Sequence, residues 1–246
     1  MTTAIARMTW IELKLFMREP AALISALAFP LFLALVLGAA FGEWKATGDY
    51  RIVDVMVPGL MAVIAANLAL MGLPIALTDY KERGILKRYQ AGPVRLSWLL
   101  AELHIVGLTV LIAGSLVLVL TTLSVFGLRF GGDPLTIFAI LVVGGTAMNA
   151  IGFALGGLLE TTRSAQAVGF CVFFPMMFLS GATWPIDRFP ESLQIVAKAL
   201  PLSYLVEALN GNWTGEPLSE QWLPLVVLGG IAVAALAVVR ATFRWR

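Results

Sequence analysis

Long apolar runs separated by short polar segments dominate the chain. They lie at roughly Ala21–Phe41, Val53–Leu77, Ser97–Phe126, Pro134–Leu159, Ala165–Thr183 and Leu223–Val239. Most reach the ~20 residues that a helix needs to cross a ~30 Å hydrocarbon core. Pro30, Pro58, Pro74 and Pro175 fall inside these runs. A water-exposed helix would break at each, whereas packed membrane helices re-satisfy the freed backbone groups through their neighbours. The strict alternation of a membrane β-barrel is absent. The pattern predicts an all-α integral membrane protein with six transmembrane helices, forming a single transmembrane domain over residues 1–246.

Composition sharpens this. Of 246 residues, 59% are hydrophobic and 13% charged, with a mean hydropathy of +0.89. A soluble domain carries about 25% charge because water wets its surface. With the N-terminus inside, the inner segments hold Arg7, Lys14, Arg18, Lys81, Arg83, Lys87, Arg88, Arg95, Arg163, Arg240, Arg244 and Arg246. The outer segments hold Lys45, Arg51, Arg129, Arg188 and Lys198. This positive-inside bias places both termini in the cytoplasm of a cell whose inner (plasma) membrane the chain spans. The first run is longer than the 7–15-residue core of a cleavable signal.

Two stretches do not span. In residues 1–20, Arg7, Lys14 and Arg18 share one helical stripe, with Ile5, Met8, Trp10, Ile11, Leu15 and Phe16 around it. That suits a helix lying on the inner surface against anionic headgroups; an ordinary cytoplasmic lead-in is the alternative. Residues 181–222 contain two short helical patterns, Ser192–Leu200 and Leu202–Asn210, split by Pro201. Their lengths fit re-entrant or interfacial helices on the outer side.

Candidate chemistry is sparse. No phosphate-binding Gly-x-x-x-x-Gly-Lys-Ser/Thr loop occurs. His104 is the sole histidine and Cys171 the sole cysteine, so neither a His-pair metal site nor an intrachain disulfide is available. Ser180 lies near the outer end of its run and His104 near the inner end of another, which separates nucleophile from base. A non-catalytic chain is expected. Asn67, Asn149 and Gln166 are the amide side chains within the runs; Asn67 and Asn149 either line a pathway or hydrogen-bond between helices. The absence of ionisable groups from the middles of the spans argues against proton-coupled transport. The Gly152–Gly156 GxxxG pattern permits close helix approach and is a candidate dimer face.

The densest charge lies in TDYKERGILKRYQAGPVR, Thr78 to Arg95, between two apolar runs. Three segments together resemble the permease subunit of type-2 ABC exporters, nearest its drug-efflux branch. They are Met17-Arg-Glu-Pro20 before a proline-containing span, Glu82-Arg-Gly-Ile-Leu-Lys-Arg88 followed by Gly92-Pro-Val94, and FLSGATWPIDRFPESLQIVAKALPLSYLVEAL over residues 178–209. Asn210-Gly211 departs from that pattern, standing where a basic residue is common.

The resemblance implies that ATP and Mg are bound by a separate cytoplasmic ABC ATPase and that this chain holds no cofactor of its own. The other implied partners are a second permease copy or homologue and membrane lipids, with no nucleic acid. Residues 78–95 become a coupling loop, with Lys81, Glu82, Arg83, Gly84, Ile85, Leu86, Lys87, Arg88 and Tyr89 as a rigid helix docked on the ATPase. In this picture Gly84 allows close backbone approach. Asn67, Asn149 and Met176 are candidates for the translocation path; Ser180, Gly181, Pro185, Pro190, Pro201 and Tyr204 are candidates for an outer gate. The expected cargo is hydrophobic or amphipathic: a drug, a lipid or a lipid-linked glycan. A stand-alone six-helix channel or scaffold is the alternative.

Overall fold

A computed structural model describes residues 2–46, 49–86 and 96–242. Among these residues the chain is helical, with one isolated antiparallel bridge between Lys45 and Arg51. Helix α1 is Thr2–Arg18. Helix α2 is built of Pro20–Leu23, a π-turn at Ile24–Ala28, and Phe29–Phe41. Helix α3, Ile52–Glu82, carries a second π-turn at Leu68–Gly72. Then come α4 (Leu96–Phe126), α5 (Pro134–Leu158), α6 (Thr162–Leu179), α7 (Glu191–Ala199), α8 (Pro201–Trp213) and α9 (Trp222–Thr242).

Among the described residues five helices, α3, α4, α5, α6 and α9, are long and apolar enough to cross a membrane, and counting the bent pair α7–α8 as one span makes six. The first expected span falls short of them: the apolar part of α2, Ala26–Phe41, is interrupted at its start by the π-turn. The cause is legible. Pro30 has no N–H and its ring would strike the carbonyl one turn back, so the helix widens and Phe29 N–H bonds the carbonyl of Ile24, five residues back. Before Pro74 the same thing happens, with Leu73 N–H on the Leu68 carbonyl.

Helix α3 is the axis of the bundle. In its most apolar stretch 78% is buried, against 22% in α9, so α9 largely faces outward while α3 is mostly enclosed by the other helices. Helices α2, α4, α5 and α8 wrap α3. Small residues set the closest approaches. A Cβ on Gly152 would land on the Ala69 carbonyl oxygen, and one on Gly156 would meet Leu77. The GxxxG pattern is therefore spent inside the chain, seating α5 on α3, and is not free as the dimer face expected above.

Helices α7 and α8 are two short pieces meeting at 94°. Pro201 opens α8 at a position whose N–H needs no intrahelical partner. Ser203 Oγ donates to the Ala197 carbonyl at 2.6 Å and Tyr204 O–H to the Lys198 carbonyl at 2.7 Å, tying the two across the bend. At its far end α8 reaches the α4–α5 loop, where Trp213 Nε1 donates to the Arg129 carbonyl.

Both terminal helices pack at the end of the bundle where α3 stops. There Tyr80 O–H donates to Glu12 of α1 at 2.7 Å, and Val239 of α9 packs with Leu73, Leu77, Leu99, Leu103 and Phe153. Below, this is the Lys81 end; the opposite one is the Arg51 end.

Candidate coupling site at the Lys81 end

The expected helix through Lys81–Tyr89 is not continuous. Helix α3 closes at Glu82, Arg83 caps it, and Gly84 takes φ +67°. This left-handed turn is the usual way a helix stops, and only glycine adopts it without a Cβ clash. Within this chain a Cβ on Gly84 would meet nothing within 4 Å, so it is the turn that calls for glycine here. Helical backbone resumes at Ile85 and Leu86. Lys87, Arg88 and Tyr89, with the rest of the loop to Arg95, lie outside the described residues.

Lys81 and Glu82, before the turn, are both bound to helix ends. Lys81 Nζ donates to the carbonyls of Gly156, Gly157 and Leu159 at 2.7, 3.0 and 2.7 Å. These are the last carbonyls of α5, left without helical partners, and a cation there also meets the negative end of the helix dipole. Glu82 turns the other way. One carboxylate oxygen accepts from Thr162 N–H and the other from Thr162 Oγ1, both at 2.9 Å. Thr162 opens α6, so an anion sits at that helix's positive end. Thr161 completes the cap, accepting from Ser164 N–H. Adjacent residues of opposite sign are thus matched to opposite ends of consecutive helices.

Arg83 differs. Its side chain is 70% exposed and pairs one turn back with Asp79 at 2.8 Å. Ile85 and Leu86 are half-buried, and Leu86 packs on the apolar cluster of this end.

The candidate path residues lie in the chain's own interior. Asn67, Asn149 and Met176 are all buried, on α3, α5 and α6. Asn149 Nδ2 donates to His104 Nδ1 at 3.1 Å, which leaves the proton on Nε2, facing Thr146 Oγ1 at 3.4 Å. Thr146 in turn donates to the Val142 carbonyl. One neutral tautomer satisfies this α4–α5 network, so Asn149 joins helices, the second of the two sequence readings. Of the candidate gate residues, Ser180 and Gly181 lie in the turn that meets α3, and Pro201 and Tyr204 open α8. Ser180 is fully buried at the end of α6, Gly181 takes φ +84°, and the Ala182 carbonyl rests where a Cβ of Gly59 would be. Pro185 and Pro190 precede the next two short helices, Ile186–Arg188 and α7.

Two features escaped the sequence reading. One is the Arg51 end. Asp54, fully buried, accepts from the Arg51 backbone and guanidinium and from Arg129 N–H, while Arg51 also reaches Glu43 and the Phe126 and Gly127 carbonyls. The hydrogen bond to Asp54 pushes the Arg51 pKa further up, so the guanidinium keeps its proton. Asp54 was hidden at the second position of an otherwise apolar run, where a lone carboxylate gives no periodic signal. The other is on α6, where Phe170, Phe174 and Phe178 are exposed at one-turn spacing and the first two rings stack at 5.7 Å.

Comparison with known proteins agrees with this architecture. The family model described as ABC-2 type transporter matches residues 3–213. Nodulation protein J of Rhizobium leguminosarum bv. viciae is 30% identical over 106 residues, 41% of this chain and 40% of that protein. The inner membrane transport permease YhhJ of Escherichia coli (strain K12) is 26% identical over 181 residues, 70% of this chain and 48% of that protein. The putative transport permease ycf38 of Cyanophora paradoxa is 27% identical over 228 residues, covering 84% and 71%. The match thus spans less than half the length of the first two relatives. With a family model covering most of its length and an all-helical, multi-span bundle, this chain is a membrane protein that belongs to the ABC-2 type transporter family.

Proposed function

We propose that the chain is the membrane-spanning subunit of an ATP-driven exporter, coupled to a separate cytoplasmic ATPase and working as a pair of permeases. The carrying observation is the departure of the chain from α3 at Gly84. Exposed Arg83 stands just before that turn, and a new helical segment at Ile85 and Leu86 follows it. A surface segment with both charge signs and apolar anchors at Ile85 and Leu86 has the composition of a docking element. The Lys81 end then faces the cytoplasm, in keeping with the positive-inside bias.

The path forms where two copies meet. The exposed face of α6, from Arg163 and Gln166 through Phe170, Phe174 and Phe178, offers charge at one end and stacked aromatics above it. Such a gradient suits an amphipathic cargo. An apolar cleft of about 300 Å³ between α2 and α4, lined by Leu23, Leu27, Leu31, Gly114 and Leu118, offers a place for an alkyl chain.

The test is affinity purification of the tagged chain from native membranes in mild detergent, with mass spectrometry of the companions. A stoichiometric soluble protein bearing a phosphate-binding loop is expected. Recovery of this chain alone, repeated after crosslinking, would favour a channel or scaffold and sink the coupling reading.

A further inference from the structure

Lys81 and Glu82 precede the basic loop immediately, yet neither extends into it. Each side chain satisfies backbone groups of a different helix: the C-terminal carbonyls of α5 by Lys81, the first N–H of α6 by Glu82. The α5–α6 connection is short, Leu159 to Thr161, and both its ends are held by one dipeptide of α3. Nearer the middle of the bundle the same three helices touch backbone to backbone. A Cβ on Gly152 of α5 would meet the Ala69 carbonyl oxygen, and one on Gly169 of α6 would come within 2.9 Å of the Leu70 carbonyl oxygen. Between these contacts and the clamp, the Leu73–Glu82 segment of α3 is fastened to α5 and α6 above and below.

Resting on the coupling reading above, we infer that Lys81 and Glu82 are positioning residues that weld the root of the basic loop to the α5–α6 turn, so that displacement of the loop moves α6. They are not part of the docking surface. Gly84, with open space around it, is the joint where the loop leaves this welded unit. The pairing of sign with helix end makes the weld directional. Exchanging the two side chains would set a carboxylate against α5 carbonyls and a cation against α6 N–H groups, which repel.

The native Cys171, exposed on α6 and the only cysteine of the chain, is the reporter. It is labelled with an environment-sensitive fluorophore in the complex of this chain with the ATPase that co-purifies with it, in lipid nanodiscs. The label response to ATP plus vanadate is compared among wild type, Lys81→Met, Glu82→Gln, the exchanged pair, and the conservative Lys81→Arg and Glu82→Asp. Amide exchange of the α5–α6 turn is followed in parallel. Lys81→Met and Glu82→Gln are expected to retain the ATPase, to speed exchange at the turn about tenfold, as loss of a charged hydrogen bond implies, and to reduce the Cys171 response at least about fivefold. The exchanged pair should be worse, and the conservative variants should recover much of the response. An undiminished response with faster exchange at the turn overturns the inference. So does loss of the ATPase on Glu82→Gln with the turn unchanged, because Glu82 would then be a docking residue. Absence of any ATPase from the wild-type preparation sinks the coupling reading itself, visibly, before a variant is made.

Discussion

The two ends of the bundle use charge in different ways. At the Arg51 end, charges answer one another. Asp54, Arg51 and Glu43 form a compact network that also gathers the Arg129 N–H and the carbonyls of the α4–α5 loop. At the Lys81 end Arg83 pairs with Asp79, but Lys81 and Glu82 address helix termini. The first arrangement locks loops to a helix and leaves Asp54 no exposed surface. The second fixes the relative positions of three helices through partly exposed side chains that water can reach. In the mechanism proposed above, one end stays still and the other passes a displacement on.

The sharpest test of this contrast is Asp54→Ala. It removes the buried carboxylate that the Arg51 guanidinium and the Arg129 N–H share, leaving Arg51 its bonds to Glu43 and two carbonyls, and breaking a buried pair from one side costs about 3 kcal/mol or more. A correspondingly large fall in thermal stability in detergent is expected. Glu82→Gln, with its carboxylate at an exposed helix start, is expected to cost only about 1 kcal/mol in the same assay. Equal losses at the two sites would dissolve the distinction.

Next in size is the seating of α5 on α3. Gly152→Ala places a methyl on the Ala69 carbonyl oxygen, a backbone atom that cannot swing aside, and overpacking of this kind costs about 1–3 kcal/mol. Gly229→Ala on α9, where nothing lies within 4 Å, should instead be neutral or stabilising by up to about 1 kcal/mol. A fall in stability from Gly229→Ala, together with none from Gly152→Ala, would reverse the assignment of inner and outer faces.

The smallest effect is expected at Asp133, the N-cap of α5 at the Arg51 end. Hydrogen bonds from the Thr136 hydroxyl and N–H hold its pKa below the usual carboxylate range. A depressed folded pKa means that the cap contributes fully above the unfolded carboxylate pKa and is lost as pH falls through the folded one. Amide exchange at Leu135 and Thr136 should therefore quicken below that point in wild type and be quick at all pH values in Asp133→Ala. Exchange that stays slow in the variant would show that the cap is idle.

These sites were unequally legible in the sequence. The α5 cap could be found, because aspartate followed by proline before an apolar run is a local signal. Most spans could be found too, since a bilayer demands a long uninterrupted apolar segment and composition alone reveals it. The short pair α7–α8 announced itself through Pro201. The break at Gly84 was harder. A glycine inside a charged helical pattern looks the same whether it admits a neighbour or ends the helix. Only the backbone angle separates the two, and that angle is set by how α3 finishes its packing.

What the sequence determined by itself, then, is the solvent the protein meets, most of the segments that cross it, and the family whose order of motifs it carries. These rest on composition and on residues near one another along the chain. Tertiary structure decided the partners. It turned the GxxxG pattern inward onto Ala69, joined Asn149 to His104, and put Asp54 between Arg51 and Arg129. It also sent Lys81 and Glu82 to helix ends some eighty residues away in the chain. A charge in the sequence states its sign and its neighbours. What it neutralises depends on which orphaned carbonyls and N–H groups the packed helices bring beside it.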